Sequence, residues 1–388
     1  MPKLPIYMDY HATTPVDPRV LQSMLPYFTD EFGNASSSDH IYGNTAREAV
    51  EKAREQVAHL IKARPAEIVF TSGATESDNL ALQGIARAYA HKGKHIITCK
   101  TEHKAVLDTC SYLEDLGWSV TYLPVDRYGL VDLEELKGAI RQETVLISII
   151  FANNEIGTIS PILEIGQIAK DNDVLFHTDA AQAIGHVPVD VNAMNIDLMS
   201  MSAHKIHGPK GIGALYMRRQ SPRIKPSAMI HGGGHERGVR SGTLNVPSII
   251  GMGRALEIAE KEMDKEGLRL TSWTAKMKSS FQNAIENVEQ NGHPTMKLPH
   301  NLNMYFPGVE SKALIQSLQS EVAISAGSAC TTEQVEPSYV ILALGHPPER
   351  AHSSIRFGIG RFNTEEEIDY VAEAVVRSTR HLHKIRVN

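Results

Sequence analysis

Cysteine is scarce in this sequence: Cys99, Cys110 and Cys330 are the 3 in 388 residues, and none belongs to a Cys-x-x-Cys pair. Three such thiols make no disulfide framework, so a role for any of them is individual thiol chemistry. Positive charge is not in excess either, since 39 Lys and Arg stand against 45 Asp and Glu, a formal net charge of −6. Without a basic face a polyanion finds no electrostatic footprint, and nucleic acid is not expected as a partner. Long apolar runs are also missing. The longest, VLISIIFA from Val145 to Ala152, is broken by Ser148 and falls far short of the ~20 residues of a membrane-spanning helix. No membrane association is expected. The opening MPKLPIYMDY has neither an apolar h-region nor a small-residue cleavage site, so no secretory leader is expected and the default compartment is the cytoplasm. The rest is ordinary, with 42% hydrophobic and 22% charged residues, which at this length excludes disorder as the main state.

From about residue 45 the pattern alternates between helical periodicity and short β-rich runs, which predicts an α/β fold with helices covering a parallel sheet. Strands are expected at 68–71, 95–99, 119–123, 145–151, 174–180, 197–203 and 213–217, seven in one large sheet. Helical stripes at 45–63, 76–91, 104–116, 132–141 and 162–171 are long enough for right-handed crossovers. A long helical pattern from Ser248 to Asn287 can bridge two units. The expected division is a large domain over 16–260 and a smaller α+β domain made of 1–15 with 261–388, built on strands NLNMYF, VAISAG and SIRFGIG and a closing helix from Glu365 to about Lys384.

Three local patterns carry chemistry. SAHKIHGPKG sets Lys205 in a tight turn after a strand; an exposed lysine has a pKa near ~10.4, so its use as a nucleophile requires an environment that lowers this value. Its plainer reading is a solvated turn residue. VLFHTDAAQAIG ends an apolar strand in Asp179, where an acid faces the ligand crevice of a parallel sheet and can hold a pyridinium nitrogen protonated; the alternative is a helix N-cap. IVFTSGATESDN places a glycine turn and Thr75 at a helix start, a site for a monophosphate or an ordinary cap, without the signature of a Walker or dinucleotide loop.

In the order phosphate turn, acid, lysine, these patterns resemble the cysteine desulfurases of the class V aminotransferase superfamily, nearest to the housekeeping iron–sulfur-cluster branch. YMDYHATTPVDPRV, FGNASS, TSGATESDN, TEHKAVL, NNEIG, DAAQAIG, SAHKIHGPKG, HGGGHERGVRSGT, GSACTT and HSSIRFGIGR carry the resemblance along nearly the whole chain. It implies the fold-type-I architecture of enzymes dependent on pyridoxal 5′-phosphate (PLP), with a seven-stranded, mainly parallel sheet. It implies Lys205 as the lysine covalently linked to the cofactor, Asp179 at the pyridine nitrogen and Gln182 at the phenolic oxygen. His103 is the histidine at the ring, assisting proton transfer and, in this reading, accepting the thiol proton of Cys330. Ala74, Thr75, Ser202 and His204 form the phosphate cup, with Thr243 reaching in from a second subunit of a homodimer. Asn154 and Arg356 hold the carboxylate of L-cysteine, an Arg fork being suited to bidentate binding; the alternative for Arg356 is a structural ion pair. Cys330 is the nucleophile that accepts sulfur as a persulfide, for delivery to an iron–sulfur scaffold protein and other acceptors. Cys99 and Cys110 read as core residues.

His11 and Ala35 depart from the family pattern, which usually has a small polar residue and a proline there, and both are expected on the access wall rather than at the chemistry. The chain ends at Asn388 without the extension on which the longest relatives dock a scaffold, which leaves the scaffold open. A selenocysteine lyase or another class V lyase or aminotransferase stays open as an alternative, as does a sulfur-relay protein with a vestigial cofactor site. No resident metal is expected, HGGGH being a weak pattern, and Cys330 as a transient iron–sulfur ligand stays open.

Overall fold

Seven strands whose alternate residues fill two different cores form the main sheet, in the order Ile68–Thr71, Gly213–Met217, Leu198–Ser202, Leu175–Asp179, Thr144–Ser148, His95–Cys99, Ser119–Leu123. Phe70, Ile97, Phe176, Met199 and Tyr216 face one side, while Val69, Ile96, Leu146, Leu198 and Leu215 face the other. This period of two with both faces buried is what a helix-covered sheet requires. Gly213–Met217 runs antiparallel to both neighbours, and every other pair is parallel. The computed structural model describes residues 2–220, 223–327 and 336–387. Among them, no helix is long and apolar enough to cross a membrane.

The seven strands expected of the main sheet are all present, three of them trimmed at their ends, and the three expected of the small unit are shortened to Asn301–Tyr305, Val322–Ala323 and Ser354–Gly358. The run expected over 145–151 is a strand only over Thr144–Ser148: beyond it Ile149 and Phe151 N–H still donate to His177 O and Asp179 O of the neighbouring strand, but on the other edge Ile150 N–H bonds to the Glu102 side chain. The helix expected at 45–63 begins earlier, at Ile41, where His40 Nδ1 accepts from Gly43 N–H.

The Val246–Ala284 helix has 39 residues, roughly 58 Å at 1.5 Å per residue. Its first half packs Ile249, Met252, Leu256 and Ile258 into the large core, and its second half packs Leu270, Trp273, Met277 and Phe281 into a separate one. Gly253 permits the close crossing of the Ile41–Leu60 helix, since a Cβ there would lie 2.8 Å from Ala53. The second core also holds the antiparallel sheet Ser354–Gly358, Asn301–Tyr305, Glu289–Gln290. Ile6–Tyr7 pairs in parallel with Val322–Ala323. From there the N-terminal segment crosses to the main sheet, where Thr14 Oγ1 donates to His204 O at 2.9 Å and accepts from His207 N–H at 2.8 Å.

A buried ion pair ties the glycine-rich loop before the long helix to the sheet edge. Arg54 donates to both oxygens of Glu236, at 2.7 and 2.8 Å, and to Ile68 O at 2.9 Å, while Glu236 also accepts Phe70 N–H. Both side chains are almost fully buried, so removing one leaves an uncompensated charge, a loss of roughly 3–5 kcal/mol. Arg54→Met is therefore expected to lower the unfolding free energy by that amount in a urea titration, and Arg54→Met with Glu236→Leu to recover much of it. A single-variant loss below ~1 kcal/mol would contradict the pair's structural role.

Candidate active site

Parallel strands bring their carboxyl ends to one sheet edge, and there a cavity of about 490 Å³ opens. The turn after Ile68–Thr71 supplies Ser72, Gly73, Ala74 and Thr75; the segment after His95–Cys99 supplies His103; that after Thr144–Ser148 supplies Ile150, Ala152 and Asn154. Asp179 and Ser202 are the last residues of their strands, followed by Gln182, His204 and Lys205. Glu76, Ala181, Thr13, Lys210 and Gly211 complete the wall; none was singled out as a site residue from the sequence, although each lies within a motif quoted for its neighbours.

The Ala74–Tyr89 helix starts at Gly73 with no side-chain cap, so its first-turn N–H groups stay open to an anion at the positive end of the helix dipole. Gly213 lies beneath this turn, where a Cβ would come within 2.7 Å of Gly73 Cα. Glu76 steadies the turn, accepting from Ser72 N–H at 2.7 Å and from Arg240 Nε at 2.9 Å.

Lys205 is half-buried and its Nζ donates to the carbonyls of His11 and Ala12. Burial first, and then the positive charge of Arg356, push its pKa down to about 8, against opposing pulls from Asp179 and Asp9. Asp179 accepts Ala181 N–H at 2.9 Å, and burial raises its pKa. Behind it, Asp78 is fully buried with neither carboxyl oxygen hydrogen-bonded, His177 Nε2 lying 3.6 Å from Oδ1, and burial together with Asp179 raises it well above its ordinary value. Glu102 is pushed up to about 8 by burial. His204 is lowered to about 4 by burial and Lys205, and its Nδ1 meets Thr13 Oγ1 at 3.1 Å.

Several expected residues behave differently from their first reading. His11 is not on the access wall: it is 1% exposed, with Nδ1 2.9 Å from Gln182 Oε1 and Nε2 3.1 Å from Asn301 Nδ2. Ala35 is likewise buried, packed in the large core. Arg356 is 2% exposed and absent from the cavity wall among the described residues; its guanidinium donates to Asp9 at 2.7 Å and to Asn154 O at 3.0 Å. Its Nε and the neighbouring Asn154 Oδ1 are buried without partners. His103 caps its helix, Nδ1 accepting Ala105 N–H at 3.2 Å. With that bond made, the neutral ring carries its proton on Nε2, so His103 faces the cavity as a donor; accepting a thiol proton there requires the cap bond to open. Thr243 is exposed and does not line its own chain's cavity. Cys330 lies outside the described residues. Cys99 and Cys110 are buried, with thiol pKa values raised by burial, and Cys99 Sγ donates to Glu102.

The aminotransferase class-V family profile matches residues 6–371. The chain is 55% identical over 383 residues to the cysteine desulfurase IscS of Anaeromyxobacter dehalogenans, covering 99% of this chain and 94% of that protein. The chain belongs to the cysteine desulfurases of the class-V aminotransferase family. It is also 51% identical to the cysteine desulfurase of Mus musculus over 381 residues, 98% of this chain and 83% of that one. A solved structure described as a NifS-like protein superposes with a TM-score of 0.91 at 38% identity, covering 97% of this chain and all of that one. The family's cofactor is PLP, and the cavity suits it: an uncapped helix start for the phosphate, a buried acid for the ring nitrogen and a lysine amine of lowered pKa between them.

The amine of Lys205 gains its free electron pair as pH rises through about 8. Modification of Lys205 in the cofactor-free protein by an acylating reagent is expected to follow that midpoint, about two units below an ordinary lysine. Arg356→Ala, which removes a positive neighbour, is expected to raise the midpoint. Peptide mass spectrometry across a pH series measures both, and a midpoint near 10 would refute the depressed amine.

Proposed function

We propose that this cavity is the desulfurase centre of the chain and that the sequence-matched residues do its chemistry. The observation that carries the assignment is the meeting of Lys205, Asp179 and the open Ala74–Thr75 helix start around one cavity. The chain is a PLP-dependent enzyme that takes sulfur from L-cysteine, releasing L-alanine, in support of iron–sulfur cluster assembly and sulfur transfer. When bound, the cofactor supplies an electron sink next to the substrate's amine-bearing carbon.

In this reading Lys205 Nζ holds the cofactor and, when released, moves protons at the substrate carbon. Asp179 keeps the ring nitrogen protonated, Gln182 donates to the phenolic oxygen, and Ala74, Thr75, Ser202 and His204 hold the phosphate. His103 passes its Nε2 proton into the cavity. Asn154, through its amide N–H, and Arg356 bind the substrate carboxylate, for which the unpartnered Nε of Arg356 is a donor in reserve; Arg356 exchanges part of its hold on Asp9 as the carboxylate arrives. Cys330 Sγ, as thiolate, bonds to the substrate sulfur; the C–S bond breaks, and the electron pair left on carbon takes a proton to give alanine. The extra sulfur then stays on Cys330 until a scaffold protein or another acceptor removes it.

The same reading makes the protein a cytoplasmic homodimer, with Thr243 serving the partner's phosphate cup. Exposed Leu21, Leu25, Phe28, Phe32, Ile41 and Tyr42 cluster in sequence at the start of the chain and support a covered surface there. Residues 16–260 form the large domain and 1–15 with 261–388 the small one, a division supported by the two cores that share the long helix.

The test is a single turnover with L-cysteine. One added sulfur is expected on the peptide carrying Cys330, together with one alanine, and Cys330→Ser is expected to bind cofactor yet give neither product. Sulfur on Cys99 or Cys110, or unchanged alanine from Cys330→Ser, would overturn the nucleophile. Thr243→Ala is expected to lose cofactor more readily, by a factor of roughly 10–100, for a bond to a charged group worth ~1.5–3 kcal/mol, with little change in unfolding. An active monomer in ultracentrifugation would contradict the shared cup.

A further inference from the structure

We infer that His11 is a positioning residue of the cofactor site, its imidazole fixing the Gln182 amide so that one N–H is kept available at the cavity. The inference rests on the reading that Gln182 donates to the phenolic oxygen of bound PLP.

The direction of every bond in the chain behind Gln182 is determined. Glu155 O is a carbonyl and can only accept, so the Asn301 amide nitrogen that lies 3.2 Å from it is the donor end. That same nitrogen faces His11 Nε2 at 3.1 Å, which makes Nε2 an acceptor. The neutral ring therefore carries its proton on Nδ1, which donates to Gln182 Oε1 at 2.9 Å. Gln182 Nε2 in turn donates to His11 O at 3.0 Å, again a carbonyl that can only accept. Both ends of the Gln182 amide are thus set by one residue, and its second N–H is the donor left over in a side chain that lines the cavity. His11 itself is not part of the cavity wall among the described residues, so its ring reaches the cofactor site through Gln182.

The ring is also held in its plane. His300 stacks on His11 with centroids 4.4 Å apart, and His186 stacks on the far side of His300 at 4.0 Å. His186 Nε2 meets Lys205 O at 3.1 Å, which closes the column onto the turn of the catalytic lysine. A protonated His11 would present Nε2–H to the Asn301 amide hydrogens, an arrangement without an acceptor; burial and Arg356 hold the ring well below its ordinary pKa, in the neutral form that the network requires.

A donor to the phenolic oxygen favours its oxyanion, so losing the donor raises the pH at which the visible band of the lysine-linked cofactor titrates. The experiment measures that midpoint in holoenzymes of the wild type, His11→Leu, His11→Asn, Asn301→Asp and Gln182→Leu, with the thermal midpoint of each cofactor-free protein as a folding control. Gln182→Leu and His11→Leu are each expected to raise the titration midpoint by about one pH unit, and the double variant to go no further than Gln182→Leu alone. His11→Asn, whose amide reproduces the Nδ1 donor, is expected to restore the wild-type midpoint. Asn301→Asp turns the donor facing Nε2 into an acceptor, draws the imidazole proton away from Gln182 and is expected to raise the midpoint too, so the inference stays testable if His11→Leu does not fold. A wild-type midpoint in His11→Leu or Asn301→Asp beside a shifted Gln182→Leu overturns the role of His11. An unshifted Gln182→Leu in a wild type that loads normally overturns the Gln182 contact, and the inference with it. Failure of the wild type to take up PLP instead overturns the cofactor site as a whole.

Discussion

Strands that run the same way end at the same edge, and the chemistry of this protein depends on that constraint. Asp179 and Ser202 terminate neighbouring parallel strands, Leu175–Asp179 and Leu198–Ser202, with His177 opposite Leu198 and Asp179 opposite Ser200. The acid, the lysine turn after Ser202 and the helix start after Thr71 are separated by tens of residues in sequence, yet a strand spacing of about 4.8 Å brings them within a cofactor's length of one another. Gly213–Met217 alone reverses direction, and it does so between the strand that carries the helix start and the strand that carries the lysine turn. Its first residue, a glycine, leaves the room in which the helix start lies against the sheet.

The N-terminal segment then acts as a strap between the two cores. It joins the small sheet through Ile6–Tyr7 and Val322–Ala323, and supplies Asp9 to Arg356. It offers the carbonyls of His11 and Ala12 to Lys205, and ends by lacing Thr14 into the loop that follows Ser202. Both partners of the lysine amine in this structure are therefore neutral carbonyls. They hold it in place without the stabilisation of the ammonium that a carboxylate at the same distance would give.

The strands were legible because both faces of the sheet are buried and β-rich runs are bounded by glycine and polar turns; the lysine turn, Asp179 and the helix start were legible because each follows such a strand. His11 was not. Its partners lie 171 and 290 residues away, and nothing local to DYHATTP signals that its ring would be buried against Gln182 and Asn301. Arg356 was placed near the site, but its pairing with Asp9 spans 347 residues and joins two elements that only the closed fold brings together. The tautomer of His103 likewise depends on one backbone N–H, a detail below the resolution of residue types. The reading of Cys330 remains a sequence reading, carried by GSACTT.

Three carboxyl groups, Asp78, Asp179 and Glu102, lie buried at or behind the cavity, and their environments separate them. Glu102, pushed up to about 8, holds its proton at neutral pH. Asp78 has no hydrogen-bond partner for either oxygen, His177 Nε2 standing 3.6 Å from Oδ1, and burial raises it well above its ordinary value, with Asp179 adding to the effect. Asp179 receives a backbone N–H from Ala181, as Glu102 does from Ile150, and the positive charge of Lys205 favours its ionised form against the burial that raises it. The charge of Asp179 adds to the burial that raises Asp78, so the two acids titrate as a pair. The imidazoles nearby follow the same logic in reverse: burial lowers His11, His177, His186, His204, His207 and His300, and at neutral pH none of them adds a positive charge to compete for Asp179. At the cavity itself Glu76 is paired with Arg240, which leaves Asp179 as the acid that a protonated ring nitrogen would match.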